Sequence, residues 1–160
     1  MDQPSNQELH FDSCDQALAK ATELIERQLE GGEVSTTGNF SLPQIVEHLA
    51  RSIDIGLGQI DVPKAPWLVR VVAKMMKKRF LNQGMKPGFK LPSSTQDIFW
   101  PESEVDAQLA LSHYAESLSK LSTVPEPISH PYFGEMTREE QVILHCRHAE
   151  LHFGFVMADG

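Results

Sequence analysis

Three times in this chain a hydroxyl residue stands three places before a Gln or Glu and just ahead of an apolar series with helical spacing. Ser13 with Gln16 precedes Ala17, Leu18, Ala21, Leu24, Ile25 and Leu29. Ser41 with Gln44 precedes Ile45, Leu49, Ile53, Leu57 and Ile60. Thr137 with Glu140 precedes Val142, Cys146, Ala149 and Phe153. In such a capping box the hydroxyl accepts an orphan N–H of the first turn, and the longer side chain reaches back to the cap. A cap joined to a 3.6-residue apolar period predicts helices near 13–30, 42–60 and 137–155. Gly31-Gly32 ends the first. Pro43 falls in the first turn of the second, where no internal N–H bond is lost. Gly56 and Gly58 weaken that helix's last turn.

Two more helices follow from periodicity alone. Trp67, Leu68, Val71, Val72, Met75 and Phe80 predict a helix from 66 to about 82; Leu109, Leu111, Tyr114, Leu118 and Leu121 predict one near 103–122. Pro63 and Pro66 open a long connection over 61–103. Gly84, Pro87, Gly88, Pro92 and Pro101 make 84–102 mostly irregular, and Pro125, Pro127 and Pro131 stiffen the next link. No strand and no repeat of fixed period is expected. The reading is all-α: four main helices around one core, with an extra helix lying across the connection between the second and third. Residues 1–10 read as a flexible tail and 11–158 as a single domain.

The 160 residues suffice for one core without a staple. Cys14 and Cys146 have neither a disulfide framework nor metal-type spacing, which points to a reducing compartment. The polar, acidic start is no secretory signal, and no apolar run can span a bilayer. A cytoplasmic protein is expected. The net charge of −8 excludes a generally basic nucleic-acid binder.

The histidines carry the chemistry. His148 and His152 are one turn apart and differ by roughly 40° around the axis, so two imidazoles on one face can chelate one ion. His145 is about 60° from His148 on the other side and rises roughly 10 Å from His152, too far for all three to share an ion easily. The helix thus offers two competing pairs, with the i, i+4 pair favoured. His48, at the edge of its helix's apolar face, points at the interior or its rim and is the candidate third ligand. The plain alternatives are solvated histidines interacting with the helix dipole, and a hydrogen-bonded core His48.

NFSLPQIVEHLARS, followed late by HPYFGEMTREEQVILHCRHAELHFGF, resembles the DinB/YfiT-like superfamily of metal-dependent helical bundles. The likeness is greatest to a branch with a His-Pro-aromatic-Phe-Gly loop before the last helix. LVRVVAKMMKKRFLNQGMKPGFKLP also looks like that branch. The resemblance covers most of residues 9–157. It implies a four-helix bundle with a long second-to-third connection. It also implies a divalent metal, zinc or nickel, on one histidine of the second helix and two groups one turn apart on the fourth. Those positions match His48, His148 and His152. Relatives with known activity include thiol-dependent transferases and isomerases, which implies a metal-activated small thiol. His145, which cannot readily join His152 on one ion, is expected nearby, beside a ligand or facing substrate, and His130, before Pro131, is expected to fix its loop.

Three neutral imidazoles leave a fourth position open, the arrangement of a catalytic rather than a closed structural site. No proton-transfer residue is evident unless His145 or His130 serves: Glu47 is rotated about 100° from His48, and Glu150 lies across the helix from the pair. Residues 62–96 hold Lys64, Arg70, Lys74, Lys77, Lys78, Arg79, Lys86 and Lys90 and no acid, so the segment is +8 and the remainder −16. The bland reading is a solvated face; the functional one is recognition of an anionic substrate or thiol beside the metal. Interrupting Gly and Pro and the acidic remainder argue against a membrane surface. Two functions follow: a metal-dependent thiol transferase or isomerase, or a non-catalytic metal- or ligand-binding bundle. A small anionic or thiol substrate is expected, with no nucleic acid or membrane partner, and exposed helix faces allow a homodimer.

Overall fold

The computed structural model describes residues 6–88 and 93–158. Among them six helices dominate: α1 (Cys14–Leu29), α2 (Leu42–Gly56), α3 (Trp67–Gln83), α4 (Ser93–Phe99), α5 (Ala107–Lys120) and α6 (Arg138–Phe153). Ser13, Ser41 and Thr137 are the caps of α1, α2 and α6. The boxes at Ser41 and Thr137 close in both directions. At α1 the Gln16 side chain instead accepts from the Asp12 N–H at 2.8 Å. Asp106 caps α5 by accepting from the Leu109 N–H, a short-range signal that periodicity alone does not use.

The apolar faces of α1, α2, α5 and α6 meet in one core, centred on Leu24, Ile25, Val46, Leu49, Ile53, Tyr114, Leu121 and Phe153. Helix α2 is almost wholly interior, buried from Leu42 to Val46 and again from Ser52 to Gly56. It ends at Gly56, short of the expected 60, because Gly58 turns left-handed at φ 72°. Helix α3 packs alongside α6 and has no buried residue.

One expectation gains a detail and one is corrected. The stretch 84–102 is irregular over most of its described residues but also holds the helix α4, which buries Thr95 and Phe99. Gly84, Pro87 and Gly88 mask so short a helix; Pro92 and Lys90 lie outside the described residues. Strands also occur. β1 (Val34–Thr36) pairs antiparallel with β4 (Val156–Ala158), and β2 (Ile128–His130) with β3 (Gly134–Met136). Three residues are too few to show a period of two, so these ladders leave no trace in the hydrophobic pattern.

The β1–β4 pair joins the chain after α1 to the chain after α6. Residues before α1 run beside the same end: the Gln7 N–H donates to the Gly154 carbonyl at 2.8 Å, and the Phe11 N–H donates to Glu150 at 2.7 Å. Phe11 is buried edge-on against Phe153.

Candidate metal centre

Helix α2 carries His48 inward because Ile45, Leu49 and Ser52 flank it on the buried face; His48 is 3% exposed. Its Nδ1 lies 3.0 Å from the carbonyl oxygen of Phe99, at the end of α4. A carbonyl only accepts, so Nδ1 carries the hydrogen and the Nε2 lone pair points the other way. There it meets two further ring nitrogens. His48 Nε2 is 3.2 Å from His148 Nε2 and 3.1 Å from His152 Nε2. The two α6 nitrogens are 3.0 Å apart, the one-turn spacing that their sequence positions dictate.

This triangle fits a small cation. Edges of 3.0–3.2 Å put its centre about 1.8 Å from each nitrogen, and a point about 1 Å off the plane lies at the 2.0–2.1 Å of a zinc–nitrogen bond. Among the described residues these side chains form the one group of three or more His, Cys, Asp or Glu ligands able to share an ion. The donation from His48 to a backbone carbonyl is the outer-sphere contact that orients metal-ligating histidines. Burial, then the neighbouring imidazoles, holds His48 and His152 well below the ordinary histidine value, and burial brings His148 to about 4. All three are therefore neutral near pH 7, the form that ligates.

Aromatic rings wall one side. Trp100 lies flat on His48 with centroids 3.7 Å apart and planes 3° from parallel. Phe40 stacks on the other face of Trp100 at 3.8 Å. Trp100 also meets His152 edge-on. Sequence reading places Phe40 and Trp100 in loops and assigns them nothing; an adjacent Phe99-Trp100 ahead of Pro101 is the signal that could have flagged them.

The other histidines serve elsewhere. His145 is buried and its Nε2 donates to Gln141 Oε1 at 3.0 Å, while the Gln141 amide donates to the Gly56 carbonyl at 3.3 Å. Burial, then His148 and His130, lowers its pKa. His130 Nδ1 accepts from the Tyr132 and Phe133 N–H groups and so pins the loop between β2 and β3. The carboxylates next in sequence to the triad face away from it. Glu47 binds Arg51 and His113, and Glu150 binds Arg147 and the Phe11 N–H. In the basic segment, Lys77 is held by Glu140 and the Glu135 carbonyl.

One cluster escaped the sequence reading. His113 on α5 sits between Glu47 Oε2 and Asp54 Oδ2 of α2, 2.9 Å from each. Glu47 and Asp54 are seven residues, two turns, apart, so they share a face that a central histidine can bridge.

A family described as a protein of unknown function (DUF1569) matches residues 3–159. No curated protein and no solved structure matches the chain.

Proposed function

The chain belongs to the DUF1569 family, and from that membership and the histidine geometry we propose a metalloprotein that binds one divalent ion, zinc or nickel, through His48, His148 and His152. The observation that carries this is the set of three Nε2 atoms within 3.2 Å of one another, with His48 oriented by the Phe99 carbonyl. We read α1, α2, α5 and α6 as a four-helix bundle of the DinB/YfiT-like kind, with α3 and α4 on the long connection. The function proposed is that of a small-thiol-dependent transferase or isomerase in the cytoplasm.

An ion on three neutral imidazoles supplies Lewis acidity and lowers the pKa of a water or thiol in its remaining position. The chain's own contribution is placement. The carbonyl of Phe99 fixes the His48 tautomer; Trp100, backed by Phe40, fixes its ring plane. Helix α6 fixes the other two nitrogens by its pitch. A second reading, a non-catalytic metal-binding bundle, is favoured by the engagement of Glu47 and Glu150 with other partners, which leaves neither of these carboxylates free to move protons at the site.

The test is metal analysis of untagged protein, followed by turnover of electrophiles with glutathione, bacillithiol and mycothiol. About one ion per chain is expected in the wild type and the His145→Ala variant, and a loss in His152→Ala. Stoichiometric metal in His152→Ala with loss in His145→Ala overturns the ligand set. Turnover that survives complete metal removal overturns the mechanism, and metal without turnover selects the binding reading.

A further inference from the structure

Helix α3 has no buried residue along its 17 positions. Among the described residues, the large exposed hydrophobic side chains are Leu29, Leu109 and six on α3: Trp67, Leu68, Val69, Val71, Val72 and Met75. The second half of α3 is anchored. Lys77 pairs with Glu140, Phe80 meets Phe133 edge-on, and Ala73, Met76 and Phe80 are half-buried. The first half is not: every residue from Pro66 to Val72 is exposed. Pro63 and Pro66 stiffen the approach. The first two turns therefore form an arm.

At 100° per residue, Trp67, Leu68, Val69, Val71 and Val72 spread over about 200° of those two turns, with Arg70 in the remaining arc. An arc of that width exceeds the roughly 100° stripe of an ordinary amphipathic helix, and the acidic remainder of the chain opposes an anionic lipid surface. The six side chains bare on the order of 700 Å², more than the few hundred Å² usual for a monomer's patch and close to the ~800 Å² each partner gives a stable interface. Arg70 on the arm and Lys74, Lys78 and Arg79 farther along α3 lie in a segment without acids, whereas the rest of the chain is −16. The body of another copy is thus complementary in charge to this arm.

We propose that the α3 arm is the contact through which two copies associate, each arm covering its apolar turns against the other copy. Trp67 is the anchor, since large aromatic side chains at the centre of an interface carry most of its energy.

The experiment is sedimentation velocity across a concentration series with the wild type and a Trp67→Glu, Val71→Glu double variant, circular dichroism checking the fold. The wild type should reach twice the 17.9 kDa chain mass, and the variant should stay monomeric with unchanged helicity. Acrylamide quenching of wild-type tryptophan should rise on dilution as Trp67 is uncovered, a readout that needs no variant. A wild type monomeric at every concentration overturns the proposal, as does a folded variant that still dimerises. Binding of monomeric wild type to phosphatidylglycerol vesicles, lost in the variant, overturns it in favour of a lipid surface.

Discussion

The bridge from α5 to α2 makes a signed prediction about pH. Ionised carboxylates only accept hydrogen bonds, so His113, held between Glu47 and Asp54 at 2.9 Å, donates from both ring nitrogens and is an imidazolium. Burial works against that charge, but the hydrogen bonds to Glu47 and Asp54 outweigh it and raise the pKa above the ordinary value. A group whose folded pKa is raised lends stability below its unfolded value, about 6.5, and loses it as pH rises through the folded value. Deprotonation removes one of the two donors. A hydrogen bond to a charged group is worth about 1.5–3 kcal/mol net, and partial exposure of the ring reduces this to about 1–2 kcal/mol. For a chain of this size that is about 2–8 °C in Tm. The perturbation is His113→Gln, compared with wild type by thermal melts from pH 6 to pH 9 at fixed ionic strength with chelator present. The Tm gap should be widest near pH 6 and narrow toward pH 9. Using the gap cancels the contributions of the other histidines, which the two proteins share. A gap constant with pH, or growing as pH rises, refutes the imidazolium bridge.

The remaining predictions concern other parts of the molecule. Burial lowers the pKa of His130 to about 3 and of His148 to about 4, and also lowers those of His48, His145 and His152; their stability contribution is present above about 6.5 and lost as pH falls toward those values, so metal-free protein should melt at progressively lower temperature from pH 6.5 to pH 4. Thr137→Ala removes the closed capping box of α6 and should cost about 1 kcal/mol by urea unfolding. A Cβ on Gly154 would meet the Gln7 carbonyl at 2.8 Å and overlap Asn6, so Gly154→Ala should speed limited proteolysis ahead of Phe11. Phe153→Ala empties a fully buried position and should cost about 3–5 kcal/mol, read from the urea midpoint.

Helices were legible wherever cap and period coincided, because both are local properties of a few consecutive residues. Ser41 and Thr137 fixed two starts, and the i, i+4 spacing of His148 and His152 set one edge of the nitrogen triangle before any folding was considered. What stayed hidden depends on distant segments meeting. The Phe99 carbonyl on His48 spans 51 positions and the β1–β4 pair more than a hundred. Helix α4 is seven residues long, shorter than a window that separates helix from loop. The Glu47–His113–Asp54 bridge needs the packing of α5 on α2, which no local pattern encodes. Reading α3 as a helix was straightforward; that its apolar side chains face outward was not, since periodicity finds a stripe without saying what lies against it.

The two tryptophans of this chain stand in different surroundings, and that gives the molecule an internal optical gauge. Trp100 is pressed face to face on the His48 imidazole and meets His152 edge-on, whereas Trp67 is 69% exposed. A paramagnetic or coloured cation captured by the three imidazoles would quench the first indole at contact range, while the second would register only changes at the arm. One emission spectrum thus carries two separable signals, one for the histidine triangle and one for the outer surface of α3.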